Sequence, residues 1–428
     1  MPKFVNNPNE KGVRTQYAKL VFLAPMLLLG ALVPQLLLIK AFGIGEITDQ
    51  FIALKIVCAI PAAITLSIQQ NYIFPSMVKG LPTKVLSSWV RESVVIFASL
   101  ALISLFFSAL NFNNLNWLVL CLLILANLFS HLANIGYGLL RAAGRFTSAD
   151  TAEFFGVAVL ISLSVYAFVS QEVIFFAAAL LARSVFCVAV LFFLVQTVNA
   201  PVSHFGEQVG KVGKEPIVYA TTFKFIPLLD VFLVSFLPVG MITIWGLASS
   251  FQNIFVGLLN KVVVNPELTK VTKRAFSNPR DIKNVLPRIS AVLYLAPIIV
   301  VCVYSRSPES LFSFCADILG VSNSDLQMIC QIFIGLSFWG VLACHGSIIN
   351  AAYNAQNRAL YAQRLIIAVT LMVIPLKVLT FIYFDVWGLV FGNILTRVSI
   401  ILALLSMFRF VSSARANPNK IRAPSGDW

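Results

Sequence analysis

Hydrophobic positions in this chain fall in runs of about 18 to 27 residues separated by short polar breaks, each run long enough to cross a ~30 Å hydrocarbon core as a helix. About twelve spans result, starting near Tyr17, Thr48, Leu86, Trp117, Thr151, Glu172, Pro216, Ile242, Leu286, Leu326, Leu360 and Val386. The pattern predicts an all-α, polytopic membrane protein. The first run follows a basic, polar leader and lacks a small-residue cleavage site, so it is expected to stay as the first membrane helix.

Basic residues test this segmentation, because Lys and Arg collect in cytoplasmic loops. The leader carries Lys3, Lys11, Arg14 and Lys19, and every second break afterwards is basic: Lys79 to Arg91, Arg141 and Arg145, Lys211 and Lys214, Lys270 to Arg288, Arg358 and Arg364, and Arg409 to Arg422. The intervening breaks, 43–46, 111–116 and 305–325 among them, hold one basic residue, Arg306. Both termini are therefore expected in the cytoplasm.

The halves also repeat. Tyr17-Ala18 with Pro25 matches Tyr219-Ala220 with Pro227, Gly45 to Thr48 matches Gly240 to Thr243, and Pro75 matches Pro266. Arg141 to Arg145 matches Asn354 to Arg358, and Arg183 matches Arg397, all in the same order at offsets of 191 to 214 residues. This predicts two pseudo-symmetric six-helix lobes, 1–205 and 206–428, related by an axis along the membrane normal.

Composition agrees: 59% of the 428 residues are hydrophobic and 11% charged, against roughly 45 to 50% and 25% in soluble domains. The net charge of +14 is accounted for by topology, so no nucleic-acid partner is expected. The seven cysteines contain no CxxC and read as small core hydrophobes. His131, His204 and His345 have no partners at ligand spacing, so no metal site, hydrolytic triad or cofactor is expected.

Thr48-Asp49-Gln50-Phe51 through Lys55 to Pro75 resembles the second-helix pattern of the MurJ/MviN lipid II flippases. Leu139 to Phe146 resembles that family's fourth-helix exit, and Trp245 to Lys270 its eighth helix. These belong to the multidrug/oligosaccharidyl-lipid/polysaccharide (MOP) exporter superfamily. Two features depart from lipid II flippases: Ala62 to Gln70 stands where they carry an arginine pair and an acid, and Ser249 to Gln252 where they carry an arginine. With twelve spans, the chain looks more like the O-antigen and exopolysaccharide repeat-unit flippases. That resemblance implies a MOP/MATE-like fold in the bacterial inner membrane, a polyprenyl-diphosphate-linked oligosaccharide as cargo, proton or sodium coupling, and membrane lipids and the polysaccharide polymerase of the same pathway as partners. A drug antiporter would favour an acidic cavity, and a membrane enzyme of polysaccharide assembly a larger outer loop.

Charges inside the spans are the candidate site, since each costs ~2.5 to 3.5 kcal/mol at a helix centre on insertion scales. Lys40, Lys261 and Lys377 lie near span ends and are expected to snorkel to the headgroups. Lys55 lies about 10 Å below the outer surface at ~1.5 Å per residue, on a helix that the resemblance makes a cavity wall. It either contacts a diphosphate or is neutralised by Asp49. Lys224 and Asp230 share the seventh span, with Asp230 as the ion-coupling candidate or half of an ion pair. Arg183 and Arg397 occupy equivalent positions, as twin structural braces or as contacts to the substrate.

Overall fold

The computed structural model describes residues 30, 32–68, 94–103, 116–142, 146–196, 222, 226–260, 264, 282–355 and 359–415, which are helical apart from short turns. The helices are α1 (Leu32–Phe42), α2 (Glu46–Ile68), α3 (Val94–Ile103), α4 (Trp117–Ala142), α5 (Phe146–Ser170) and α6 (Val173–Gln196). There follow α7 (226–234), α8 (Met241–Leu259), α9 (Ile282–Arg306), α10 (Glu309–Leu319), α11 (Asn323–Ala355) and α12 (Ala359–Arg415). Among the described residues, seven helices are long and apolar enough to cross a membrane, or eight if α9 and α10 form one bent span. The spans expected near Tyr17, Leu86 and Pro216 are described only in part, as α1, α3 and α7; their starts, Lys224 and Lys261 lie outside the described residues.

The chain divides into two compact units, Met1–Ile254 with Pro308–Ile329, and Phe255–Ser307 with Cys330–Trp428. In the first, α4, α5 and α6 pack through small residues: Ala133, Ala149, Ala152 and Cys187 share a buried cluster with Leu140 and Leu191. A Cβ on Gly136 would come within 3.1 Å of Leu191, so helices meet here as closely as glycine permits. Outward faces are apolar too, with Val169 73% and Phe193 68% exposed, which is the surface a bilayer covers.

In the second unit, the 57-residue α12 is two helices joined at Asp385, whose φ of 50° and ψ of −132° break the helical path. The arms lie side by side: the Thr380 hydroxyl donates to the Gly388 carbonyl at 2.9 Å, and Lys377 meets Asn393. Asp385 is thus the turn between two spans, as the segmentation at Val386 expects.

The stretch from Ser305 to Asp325, expected to be an outer loop, contains the helix α10, turned 101° from the preceding one. Leu311, Phe314 and Ile318 recur at helical spacing along it, and Gly320, at φ 70°, ends it in a left-handed cap. The cysteines are not all core residues: Cys58, Cys187 and Cys344 are buried, but Cys121 and Cys302 are exposed on helix faces. An apolar environment in a membrane protein includes lipid, so hydrophobic context alone does not place a residue inside.

Candidate functional site

Asp49 sits in the first turn of α2, where an acid favours the positive end of its own helix. Its side chain reaches α8 instead. One oxygen accepts the Gly240 N–H at 2.6 Å; the other accepts the Thr243 N–H at 2.7 Å and the Thr243 hydroxyl at 2.5 Å. Asp49 is 8% exposed, so these are desolvated, charge-assisted bonds to the free N–H groups of a helix start, worth about 1.5 to 3 kcal/mol each in such settings. Gly240 makes the approach possible. Its φ of +98° belongs to glycine, and a Cβ there would lie 2.7 Å from the Ile44 side chain.

Two further contacts join α1 and α2 to α8. Ile52 packs where a Cβ on Gly246 would stand, and the Ser250 hydroxyl donates to Gln35 Oε1 at 2.8 Å. The repeated Gly-x-x-Thr motif opens both α2 and α8, with Thr48 and Thr243 fully buried. The uses differ. Thr48 Oγ1 accepts the Gly45 N–H at 3.0 Å within its own turn, whereas Thr243 is bound by the acid of another helix.

Lys55 is not neutralised by Asp49, whose two oxygens are both engaged by α8. Six residues on, Lys55 points off a different side of α2 and, partly buried, lines a cavity of about 110 Å³ with Arg183 of α6. The remaining lining includes Gln35, Phe51, Phe176 and Leu180, and no carboxylate among the described residues. The structure therefore brings two of the expected site residues together, within electrostatic reach of each other.

Arg397 does not share this environment. Its guanidinium stacks 5.2 Å from the centroid of the Trp339 ring in the second unit, a cation–π contact. The two repeat-related arginines therefore have different surroundings, a cavity for Arg183 and an aromatic ring for Arg397. Lys377 is also corrected: it does not snorkel but is 1% exposed, with Nζ donating to Asn393 Oδ1 at 2.8 Å. Distance from a span end was the wrong guide because the α12 hairpin supplies a polar partner inside. Asp230 lies on α7 and is buried, at 6% exposure. Sequence reading missed Gly240, Thr243, Gln35, Ser250 and Asn393; only the Gly240–Thr243 repeat carried a signal, and it gave no partner. It also missed a polar contact in the first unit, Thr65 Oγ1 to His131 Nδ1 at 2.8 Å, with the imidazole stacked on Phe97.

Seven described helices long and apolar enough to cross a membrane define a multi-pass membrane protein. The sequence matches no family model and no curated protein. Solved structures match along almost the whole chain. The lipid II flippase MurJ in an inward closed conformation aligns with a TM-score of 0.60 at 16% identity, over 92% of this chain and 87% of that one. An inward-facing multidrug resistance MATE family transporter of the MOP superfamily gives 0.59 at 15% identity, over 94% and 96%. The Vibrio cholerae MATE transporter VcmN gives 0.53 at 14%, over 92% and 98%. The protein has the MOP superfamily fold.

Proposed function

We propose that this protein is a flippase that carries a polyprenyl-diphosphate-linked oligosaccharide across the bacterial inner membrane by alternating access of its two lobes, 1–205 and 206–428. The observation that carries this reading is a pair of cations at one cavity: Lys55 and Arg183 both line it, and no carboxylate is among its described lining residues. Lys377 and Arg397 lie in the second unit. A diphosphate needs cations that survive partial burial; an organic cation needs the reverse. Lys55 and Lys224 are the first candidates to meet the diphosphate, with Arg183 and Arg397 behind them.

The basic-loop alternation puts both termini in the cytoplasm and the starts of α2 and α8 on the outer side. On that topology the bonds from Asp49 to Gly240 and Thr243 close the outer end, and opening outward breaks all of them. Protonating Asp49, or bringing a cation to it, removes the charge that holds α8, which links the outer closure to an ion gradient. Asp230, buried on α7, is the second coupling candidate, through a difference in its hydration between access states.

The test is export of the lipid-linked sugar by Lys55→Ala and Lys224→Ala. Both are expected to reach the membrane in normal amount and to lose transport by roughly ten- to a hundredfold, the effect of removing one charged contact of about 1.5 to 3 kcal/mol. Full transport by both variants contradicts the cationic-cavity mechanism.

A further inference from the structure

At ~100° per residue, helix α10 divides into three faces around its axis. Phe312, Cys315, Ala316 and Leu319 form the inward face: Ala316 is buried and the other three are half-buried. Glu309, Ser310, Ser313 and Asp317 form a polar face, on which both acids are exposed. Leu311, Phe314 and Ile318 form the third, apolar and open, at 46%, 61% and 51% exposure. The end of the helix is seated against the end of α1, where a Cβ on Gly320 would meet Lys40 at 3.4 Å. Such a division fits three different neighbours: protein, water and an apolar phase.

We propose that α10 is an interfacial helix lying in the plane of the membrane surface, with Leu311, Phe314 and Ile318 sunk among the acyl chains of one leaflet. Chain continuity sets the depth. The 25 residues of α9 rise ~37 Å, enough to cross the hydrocarbon core, and its exposed Ile298, Ile299 and Val303 belong to the apolar surface that lipid covers. Only Ser307 and Pro308 separate it from α10, so α10 begins where the core ends, and the 101° bend turns the path from across the membrane to along it. A re-entrant path back into the core is excluded by charge. Arg306, Glu309 and Asp317 are all exposed, and lipid-facing charges at that depth are strongly penalised. At the interface the same acids point to water while the apolar face meets acyl chains. On the basic-loop alternation the leaflet is the outer one. The consequence is mechanical: through Gly320 and Lys40, α10 holds the end of α1 at a fixed depth in the headgroup layer. This inference needs a bilayer and is independent of the flippase reading.

The test uses the full-length protein in nanodiscs of phosphatidylethanolamine and phosphatidylglycerol. Cys121, Cys302, Cys315 and Cys330 are replaced by alanine, and Leu311→Cys, Phe314→Cys, Ile318→Cys, Glu309→Cys, Ser313→Cys and Asp317→Cys are spin-labelled one at a time. Oxygen concentrates in lipid and a nickel chelate stays in water. The ratio of oxygen to nickel collisions is expected to be about fivefold or more higher at positions 311, 314 and 318 than at 309, 313 and 317. Free nickel access at all six positions places the helix in water, and lipid-like ratios at all six place it inside the core; either overturns the proposal. So does low collision with both reagents at 311, 314 and 318, which puts protein on that face. If the alanine background does not fold, the wild-type protein decides: a phospholipid with an aryl-diazirine in its acyl chain, mapped by mass spectrometry, should add to Leu311, Phe314 or Ile318 as it does to Ile299 and Val303. Adducts on α9 with none on α10 overturn the interfacial helix.

Discussion

The carboxylate of Asp49 lies 2.6 Å from the backbone N–H of Gly240, 191 positions later in the chain. An acid in the first turn of one helix thus serves as the cap of another, and the helix it caps is the repeat-related partner of its own. Only the first half holds the acid: Ile244 stands where the repeat would put a second aspartate. The closure between α2 and α8 is built from one side.

Asp49→Asn keeps a carbonyl acceptor but loses the charge, and is expected to destabilise the protein by about 1 to 2 kcal/mol through the weakened cap. Thermal unfolding measures the loss. A cysteine at Met241 should label faster in the variant than in the otherwise unchanged protein, because α8 is released at its start.

Gly240→Ala meets two obstacles at once, the positive φ and the Ile44 side chain. A cost of about 1 to 3 kcal/mol is expected from the backbone alone. Adding Ile44→Ala should recover the steric part and leave the conformational part, so the double variant should stay less stable than Ile44→Ala by itself.

Lys377 and Lys40 were alike in the sequence, both within reach of a span end. The structure separates them: Lys40 is exposed and Lys377 is almost fully enclosed with Asn393 as acceptor. Acetylation of the folded protein, read by mass spectrometry, should modify Lys40 and spare Lys377 until the protein is unfolded. Equal modification of both would show that the α12 hairpin is not closed around the ammonium.

These residues show how far the sequence reaches. Span length is a property of single segments, and basic-loop alternation and the repeat are read along the linear chain; they predict the all-α architecture and the turn at Asp385. Depth is also local, and places Lys55, Arg183 and Asp230 within the spans. Partners are not local. The reach of Asp49 to α8, the meeting of Lys55 with Arg183 and the stacking of Arg397 on Trp339 depend on which helix faces which. One helix's apolar pattern does not encode this when lipid and protein neighbours are equally apolar. The same ambiguity hid α10, whose apolar stripe is too short to register as a span.

Topology gives its own test. An impermeant thiol reagent added outside should reach a single cysteine at Asn113 or at the exposed Ser322 and miss one at Lys211 or Arg280. The reverse pattern would invert the protein and move the Asp49 closure to the cytoplasmic side.

The central claim is that the cargo is an anionic, lipid-linked glycan, and reconstituted transport tests it most directly. Proteoliposomes holding the purified protein are supplied with a fluorescent polyprenyl-diphosphate oligosaccharide on one leaflet and, separately, with an organic-cation dye, under imposed pH or sodium gradients. The account predicts protein-dependent movement of the lipid to the opposite leaflet, reduced at least tenfold in Lys55→Ala, and no movement of the dye. Gradient-driven dye transport with no movement of the lipid would contradict it and would make this fold, in this chain, a cation antiporter.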